Sequence, residues 1–367
     1  MPIASVTDGP IHLYYEDTGP PTEGFTDVYT TVILLHGAYW TSGIFRPLIP
    51  HAKKHNLRLV LLNQRGYPGS SPFADKEIAA MQSEDLELQR AFTREQGHIY
   101  GQVISTLIET LDIPSLCTTQ DEKLEGGVCF LAWSSGNECL FQLLSALDTL
   151  PEQSRITIEN HLRSVVIYEP PMYASGTCPP FVLREADNRS SGLWSPVRDP
   201  NCFHQLTEYF SPWCSSYYSP IENLPSLDPK DYDATYTLMH ERKILNTAPT
   251  YTRLTEDICF KDFITITSNA LRIVPELFRE HVLRSLTRLE EDQAWQLHSR
   301  FKLVLLWCEH TLSESLLGTS AISQYHEELK SNGVLVREME VGQIGGANHF
   351  AHSDDPEGFV QFLVKHC

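Results

Sequence analysis

The chain has 367 residues, 41% of them hydrophobic and 20% charged, which is enough apolar side chain for a large buried core. Its 47 acidic side chains against 28 basic ones give a formal net charge of −19, which argues against nucleic acid and anionic membrane as partners, because either would be repelled. Nine cysteines without a CxxC pair read as reduced core thiols. With no basic start followed by an apolar stretch, and no run long enough to span a bilayer, a cytoplasmic protein is expected.

Short apolar runs alternate with longer amphipathic segments, the pattern of a mostly parallel sheet covered by helices on both faces, an α/β class. Ile11–Tyr15 reads as an early strand closed by a turn at Asp17–Gly19. Thr31–Leu35 is a buried strand ending in His36-Gly37, and Leu57–Leu62 is the next, running into a turn-rich loop through Gly66, Pro68 and Gly69. Ile99, Val103, Leu107 and Leu111 fall on one helical face over 96–111. Val128–Trp133 is a strand followed by a helix over 136–147. Ser164–Tyr168 is another strand, ended by Glu169-Pro170-Pro171, since two prolines cannot continue a central ladder. Lys302–Trp307 is predicted as a strand, 320–330 as a helix, Val334–Val341 as the last strand and 356–365 as a terminal helix.

Between Met172 and Arg300 the alternation stops. The stretch carries prolines and aromatics and then helical patterns such as 273–289, and it is too long for a plain loop. It is read as a helical lid, residues 172–300, inserted into a core domain formed by 1–171 and 301–367.

Three segments carry chemistry. Ala132-Trp133-Ser134-Ser135-Gly136 lies between a strand and a helix, where a nucleophile on a sharp bend needs tiny residues two positions to either side. Such a bend exposes the Ser134 hydroxyl and aims the Ser135 N–H at the oxygen that becomes negative during attack. Helix capping alone is the rival reading of this pentapeptide. His36-Gly37-Ala38-Tyr39 follows a buried strand, where a glycine permits close backbone approach to a substrate oxygen. Ala38 is the expected second oxyanion donor, Gly37 the runner-up; an ordinary strand-ending turn with a structural His36 is the alternative. Gly345-Gly346-Ala347-Asn348-His349-Phe350 follows the last strand and places His349 where a general base must approach the serine, with His352 a nearby decoy. Trp133, Tyr39, Trp194 and Trp213 are candidate pocket residues, with packing as the competing role for the tryptophans. No HExxH, Cys/His ligand spacing or GxGxxG occurs, so neither metal nor nucleotide cofactor is expected.

In order and on the expected elements, HGAYW, QRGYPGS, AWSSG and GGANHF resemble the α/β-hydrolase superfamily over residues 11–171 and 301–367. The resemblance implies a third residue, an acid between nucleophile and histidine, most often in a Gly-Glu-x-Asp turn after the strand assigned to Lys302–Trp307. This chain reads Cys308-Glu309-His310-Thr311, with Thr311 where that Asp would stand. Glu169, ending the preceding strand as a Glu does in the similar fungal zearalenone lactonases, is the favoured replacement, and Glu309 the alternative.

The implied activity is hydrolysis of an ester or lactone through an acyl-enzyme, on a bulky apolar and even polyketide-like small molecule in view of the aromatic lid. A carbon–carbon lyase or cyclase on the same fold is the second reading, and a non-catalytic receptor the third. The only expected partner is the small-molecule substrate, with a homodimer left open.

Overall fold

A parallel strand covered by helices on both faces has no polar side to present, so its sequence is an unbroken apolar run. Val128–Trp133 is such a run, and Leu57–Leu62 is one interrupted by Arg58, whose buried guanidinium pairs with Asp17 at 2.7 Å; all six residues of each are buried. The computed structural model describes residues 3–5, 9–21, 28–177, 213–221, 224, 238, 242–246, 274–288 and 301–367. Its main sheet has eight strands: β1 (Ile3–Ser5), β2 (His12–Asp17), β3 (Thr30–Leu35), β4 (Leu57–Leu62), β5 (Val128–Trp133), β6 (Leu162–Tyr168), β7 (Lys302–Cys308) and β8 (Met339–Ile344). Their spatial order is β1-β2-β4-β3-β5-β6-β7-β8. The first two pairings, β1 with β2 and β2 with β4, are antiparallel, and all later ones are parallel.

Side chains alternate across a strand, so β5 feeds two cores. Val128, Phe130 and Ala132 join a cluster with Val103 and Leu107 of one helix, Leu140 and Phe141 of another, and Val282. Cys129, Leu131 and Trp133 join a second cluster on the opposite face, with Phe45, Phe350, Phe359 and Leu363. The larger helices are α1 (Asp75–Gln82), α2 (Leu86–Thr110), α3 (Gly136–Ala146), α4 (Glu152–His161), α5 (Pro275–Leu286), α6 (Ser313–Ser331) and α7 (Pro356–His366).

The α/β architecture is the expected one, with differences at its edges. Helix α2 begins ten residues before the expected 96, at Leu86, where Asp85 caps it by accepting from the Glu87 N–H at 2.9 Å. The final strand is Met339–Ile344 rather than 334–341, because an edge strand alternates half-buried and exposed positions and carries no apolar run to mark it. Of the expected insertion, the described parts are helix α5, a short antiparallel pair between Tyr217–Tyr218 and Ile244–Asn246, and a few neighbouring residues. Trp194 and most of 178–273 lie outside the described residues. Among the described residues, no helix is long and apolar enough to cross a membrane, and no cluster of His, Cys, Asp and Glu could hold a metal ion.

Candidate active site

The bend between β5 and α3 forces Ser134 into the left-handed region, φ 54°. That costs a non-glycine residue about 1–2 kcal/mol, and local hydrogen bonds hold it. The Ser134 N–H donates to Tyr168 O at 2.9 Å, while Asn137 donates to the Ser134 carbonyl from its backbone at 3.0 Å and its side chain at 2.8 Å. The small neighbours follow from contact distances. A Cβ on Gly136 would lie 2.7 Å from the His36 carbonyl oxygen, and one on Gly37 2.7 Å from Ser134 Cβ. The turn after β3 therefore runs directly against the bend, which brings Gly37 to Ser134 while Ser135 heads helix α3.

His36 is fully buried at this crossing. Its Nδ1 donates to the Gly37 carbonyl at 2.7 Å and its Nε2 accepts from the Gln64 N–H at 3.1 Å, so the ring is the neutral tautomer. Burial pushes its pKa down to about 4, with the Gly37 bond opposing. His36 is structural.

His349 sits in the loop after β8 and is 3% exposed. Its Nδ1 lies 2.7 Å from Glu169 Oε2 and its Nε2 3.1 Å from Ser134 Oγ. A carboxylate can only accept, so Nδ1 carries the proton and Nε2 is left to accept from the Ser134 hydroxyl. Glu169 follows β6 directly with φ 54°, fully buried. Its Oε1 accepts from the Cys308 N–H at 2.6 Å, and its Oε2 from Thr311 Oγ1. Ser315 of α6 adds its hydroxyl 3.3 Å from His349 Nδ1 and 3.4 Å from the Glu169 carbonyl oxygen. Glu309 points elsewhere: it accepts from the Gly346 N–H at 2.7 Å and is partly exposed. Of the two candidate acids, the structure brings Glu169 to His349.

Two expected pocket residues are buried in a core cluster. Trp133 is fully buried beneath the His349 loop, where its indole N–H donates to the His349 carbonyl at 3.0 Å and its ring lies 5.1 Å from the imidazole. Strand alternation turns it into the core. Tyr39 is likewise buried, packed edge-on against Trp40 with ring centroids 6.3 Å apart, its phenol pKa raised by burial and then by nearby Cys214. Trp213 is half-buried against the same cluster, and its carbonyl accepts from the Tyr218 hydroxyl at 2.9 Å. His352, the decoy, is enclosed by Trp133, Phe45 and Phe350, and burial, then the neighbouring His349, holds its pKa well below the usual histidine value.

The contacts of Thr311, Ser315 and the Tyr173–Glu138 pair are not marked in the sequence. Thr311 was visible only as the place of a missing acid, while nothing in the local sequence marks Ser315. Tyr173 hydrogen-bonds both the Ser135 side chain and Glu138. Burial pushes Glu138 up to about 8, opposed by the Tyr173 bond, so a largely protonated carboxyl stands behind the residue next to the bend.

No family model matches the chain, and no curated protein matches it in sequence. Solved structures do match in shape. A 2-hydroxy-6-oxo-6-phenylhexa-2,4-dienoate hydrolase from Rhodococcus sp. strain RHA1 is 13% identical with a TM-score of 0.56, covering 100% of this chain and 98% of that one. A bromoperoxidase from Bacillus anthracis is 13% identical at 0.52, with the same coverage. An enol-lactonase from Burkholderia xenovorans LB400 is 12% identical at 0.52, covering 100% and 99%. Likeness at this identity carries the fold alone.

Proposed function

Because this chain is built on the α/β-hydrolase fold, we propose that it is a serine hydrolase of carboxylic esters or lactones, working through a Ser134–His349–Glu169 relay and an acyl-enzyme. One observation carries the reading: a single imidazole contacts a strained-bend serine hydroxyl with one nitrogen, at 3.1 Å, and a buried carboxylate with the other, at 2.7 Å. That arrangement fits proton transfer rather than packing, since each partner is at hydrogen-bond distance and the carboxylate selects the tautomer that leaves Nε2 basic.

In the proposed cycle His349 takes the Ser134 proton as Oγ attacks the carbonyl. The Ser135 and Ala38 N–H groups, with Gly37 as alternative, hold the oxyanion. His349 then protonates the leaving alcohol, and water repeats the sequence to release the acid. Glu169 stabilises the imidazolium formed in between. A bulky apolar ester or lactone is the proposed substrate class, on the aromatic content of the inserted segment. One of the fold neighbours is named as an enol-lactonase, in keeping with this reaction type.

The test is covalent. A fluorophosphonate should label wild-type protein at Ser134 and leave Ser134→Ala unlabelled, and a panel of bulky esters and lactones should be turned over only by the wild type. Product formation that survives Ser134→Ala would overturn the acyl-enzyme and favour acid–base chemistry by His349 alone, as in a lyase or cyclase.

A further inference from the structure

Glu169 Oε2 serves two donors, His349 and Thr311, so the position of the Thr311 hydroxyl decides how the carboxylate meets the imidazole. Thr311 lies in the turn after β7, its N–H on the Cys308 carbonyl at 3.2 Å. Its own carbonyl faces the inserted segment, where Arg242 Nη1 donates to it at 2.6 Å. The same guanidinium sends Nη2 and Nε to the Ser219 carbonyl at 2.6 and 3.3 Å. It also lies 5.3 Å from the Tyr218 ring centroid. A planar guanidinium can bridge two carbonyls in a fixed geometry where an ammonium cannot.

Further bonds tie the same stretch to both halves of the site. The Tyr218 N–H donates to the His310 carbonyl at 3.0 Å, and His310 Nδ1 donates back to the Tyr218 carbonyl at 2.7 Å. On the His349 side, Asn348 Nδ2 donates to the Ser215 carbonyl at 2.8 Å, and the Tyr217 hydroxyl to Asp354 Oδ2 at 2.6 Å.

We propose that Arg242 is a positioning residue of the relay: by clamping the Thr311 carbonyl to that of Ser219, it sets the hydroxyl that aims Glu169 at His349, so that the inserted segment and the acid–base pair move as one unit. This rests on the proposed function above, because it assigns Arg242 a part in the same relay. Arg242 acts through Thr311.

The clamp leaves a signature in pH. A hydroxyl on Oε2 shares the carboxylate's charge, and the Arg242 cation faces Glu169 as well. Removing either changes both the charge on the carboxylate and its aim at the imidazole, so the pH dependence of Ser134 labelling changes. The other groups facing the pair are Ser134 on the bend, Ser315 on α6, Tyr168 and Cys308, whose protons burial holds well above their usual range, and His352, which burial keeps neutral. Glu314, pushed up to about 7 by burial and paired in charge with Arg242, titrates in the same range. Profiles are therefore repeated in a Glu314→Gln background.

The experiment measures the rate of Ser134 labelling by a fluorophosphonate across the neutral pH range, with the melting temperature of every variant. Arg242→Gln and Thr311→Val should each slow labelling about tenfold or more and move its pH midpoint, while Thr311→Ser keeps the wild-type rate and midpoint. A folded Arg242→Gln or Thr311→Val that labels at the wild-type rate overturns the proposal. So does a slower rate with an unmoved midpoint, which loss of packing alone would give. Should Arg242→Gln not fold, Arg242→Lys replaces it, expected to slow labelling because one ammonium cannot span both carbonyls; Thr311→Val then carries the pH arm. Wild-type protein that takes no label is a different failure: it removes the proposed hydrolase, and this inference with it.

Discussion

Trp133, the residue before the bend serine, holds the backbone of the histidine that approaches it: its indole N–H donates to the His349 carbonyl at 3.0 Å across 216 positions of sequence. The strand that presents Ser134 thus also fixes the loop that presents His349. Trp133→Phe keeps most of the ring but removes the donor, leaving that carbonyl, among the described residues, the Tyr168 hydroxyl at 3.5 Å. Stability should fall by about 1–2 kcal/mol, read by urea unfolding. Turnover of a chromogenic ester should drop several-fold in kcat with KM little changed, since no substrate contact is touched.

Gly37 tests the approach of the other wall. A methyl group there would lie 2.7 Å from Ser134 Cβ and 3.1 Å from the Trp133 ring, and neither can retreat, because both are held by the β5–α3 bend. Gly37→Ala should push the turn off the serine and with it the proposed Ala38 donor. The expected loss is about 10²–10³ in kcat, the range for a lost oxyanion donor. Wild-type kcat in a folded Gly37→Ala protein would remove this turn from the oxyanion site.

The two acids separate cleanly by substitution. Glu169→Gln preserves shape but replaces the acceptor that selects the Nδ1–H tautomer, and kcat should fall by about 10⁴, as for the carboxylate-to-amide change in a serine triad. Glu309→Gln can still accept from the Gly346 N–H and should leave kcat/KM within about twofold, as expected of a partly exposed surface substitution. Equal losses in the two variants would contradict the geometry.

Much of this site could be read from residue order, and the limits have physical causes. The runs at 57–62 and 128–133 name their own boundaries because strands buried on both faces are almost wholly apolar, with Arg58 held by its ion pair to Asp17. The Ser134 bend was legible because its neighbours must be small for a steric reason that spacing encodes. By contrast, β8 carries half-exposed residues at the sheet edge, and the opening turns of α2 are largely polar, so neither boundary is written in hydrophobicity. Trp133 looked like a pocket residue because sequence gives adjacency to Ser134 without the alternation that turns it inward. Thr311 and Arg242, 69 positions apart in sequence, meet only through the fold, and no local pattern announces a side chain that bonds a distant backbone carbonyl.

Two buried imidazoles make stability depend on pH in a stated direction. Burial lowers His36 and His281 to about 4; at His281, Glu280 works against burial while Arg284 and Arg90 add to it. Both rings are neutral in the folded protein near pH 5, whereas in the unfolded chain each takes up a proton below about 6.5. The unfolded state then binds more protons, so stability must fall as pH drops through the window from about 6.5 to 4. The loss should be about 2 kcal/mol per histidine at pH 5. His281 is the better probe, since it lies on α5 and touches Ser145 Oγ of α3 at 2.7 Å, a contact that Gln can replace. His281→Gln should flatten the decline between pH 7 and pH 5 by about 2 kcal/mol in urea unfolding. An unchanged slope would mean that this ring is protonated inside the fold, and that the polar groups around it outweigh its burial.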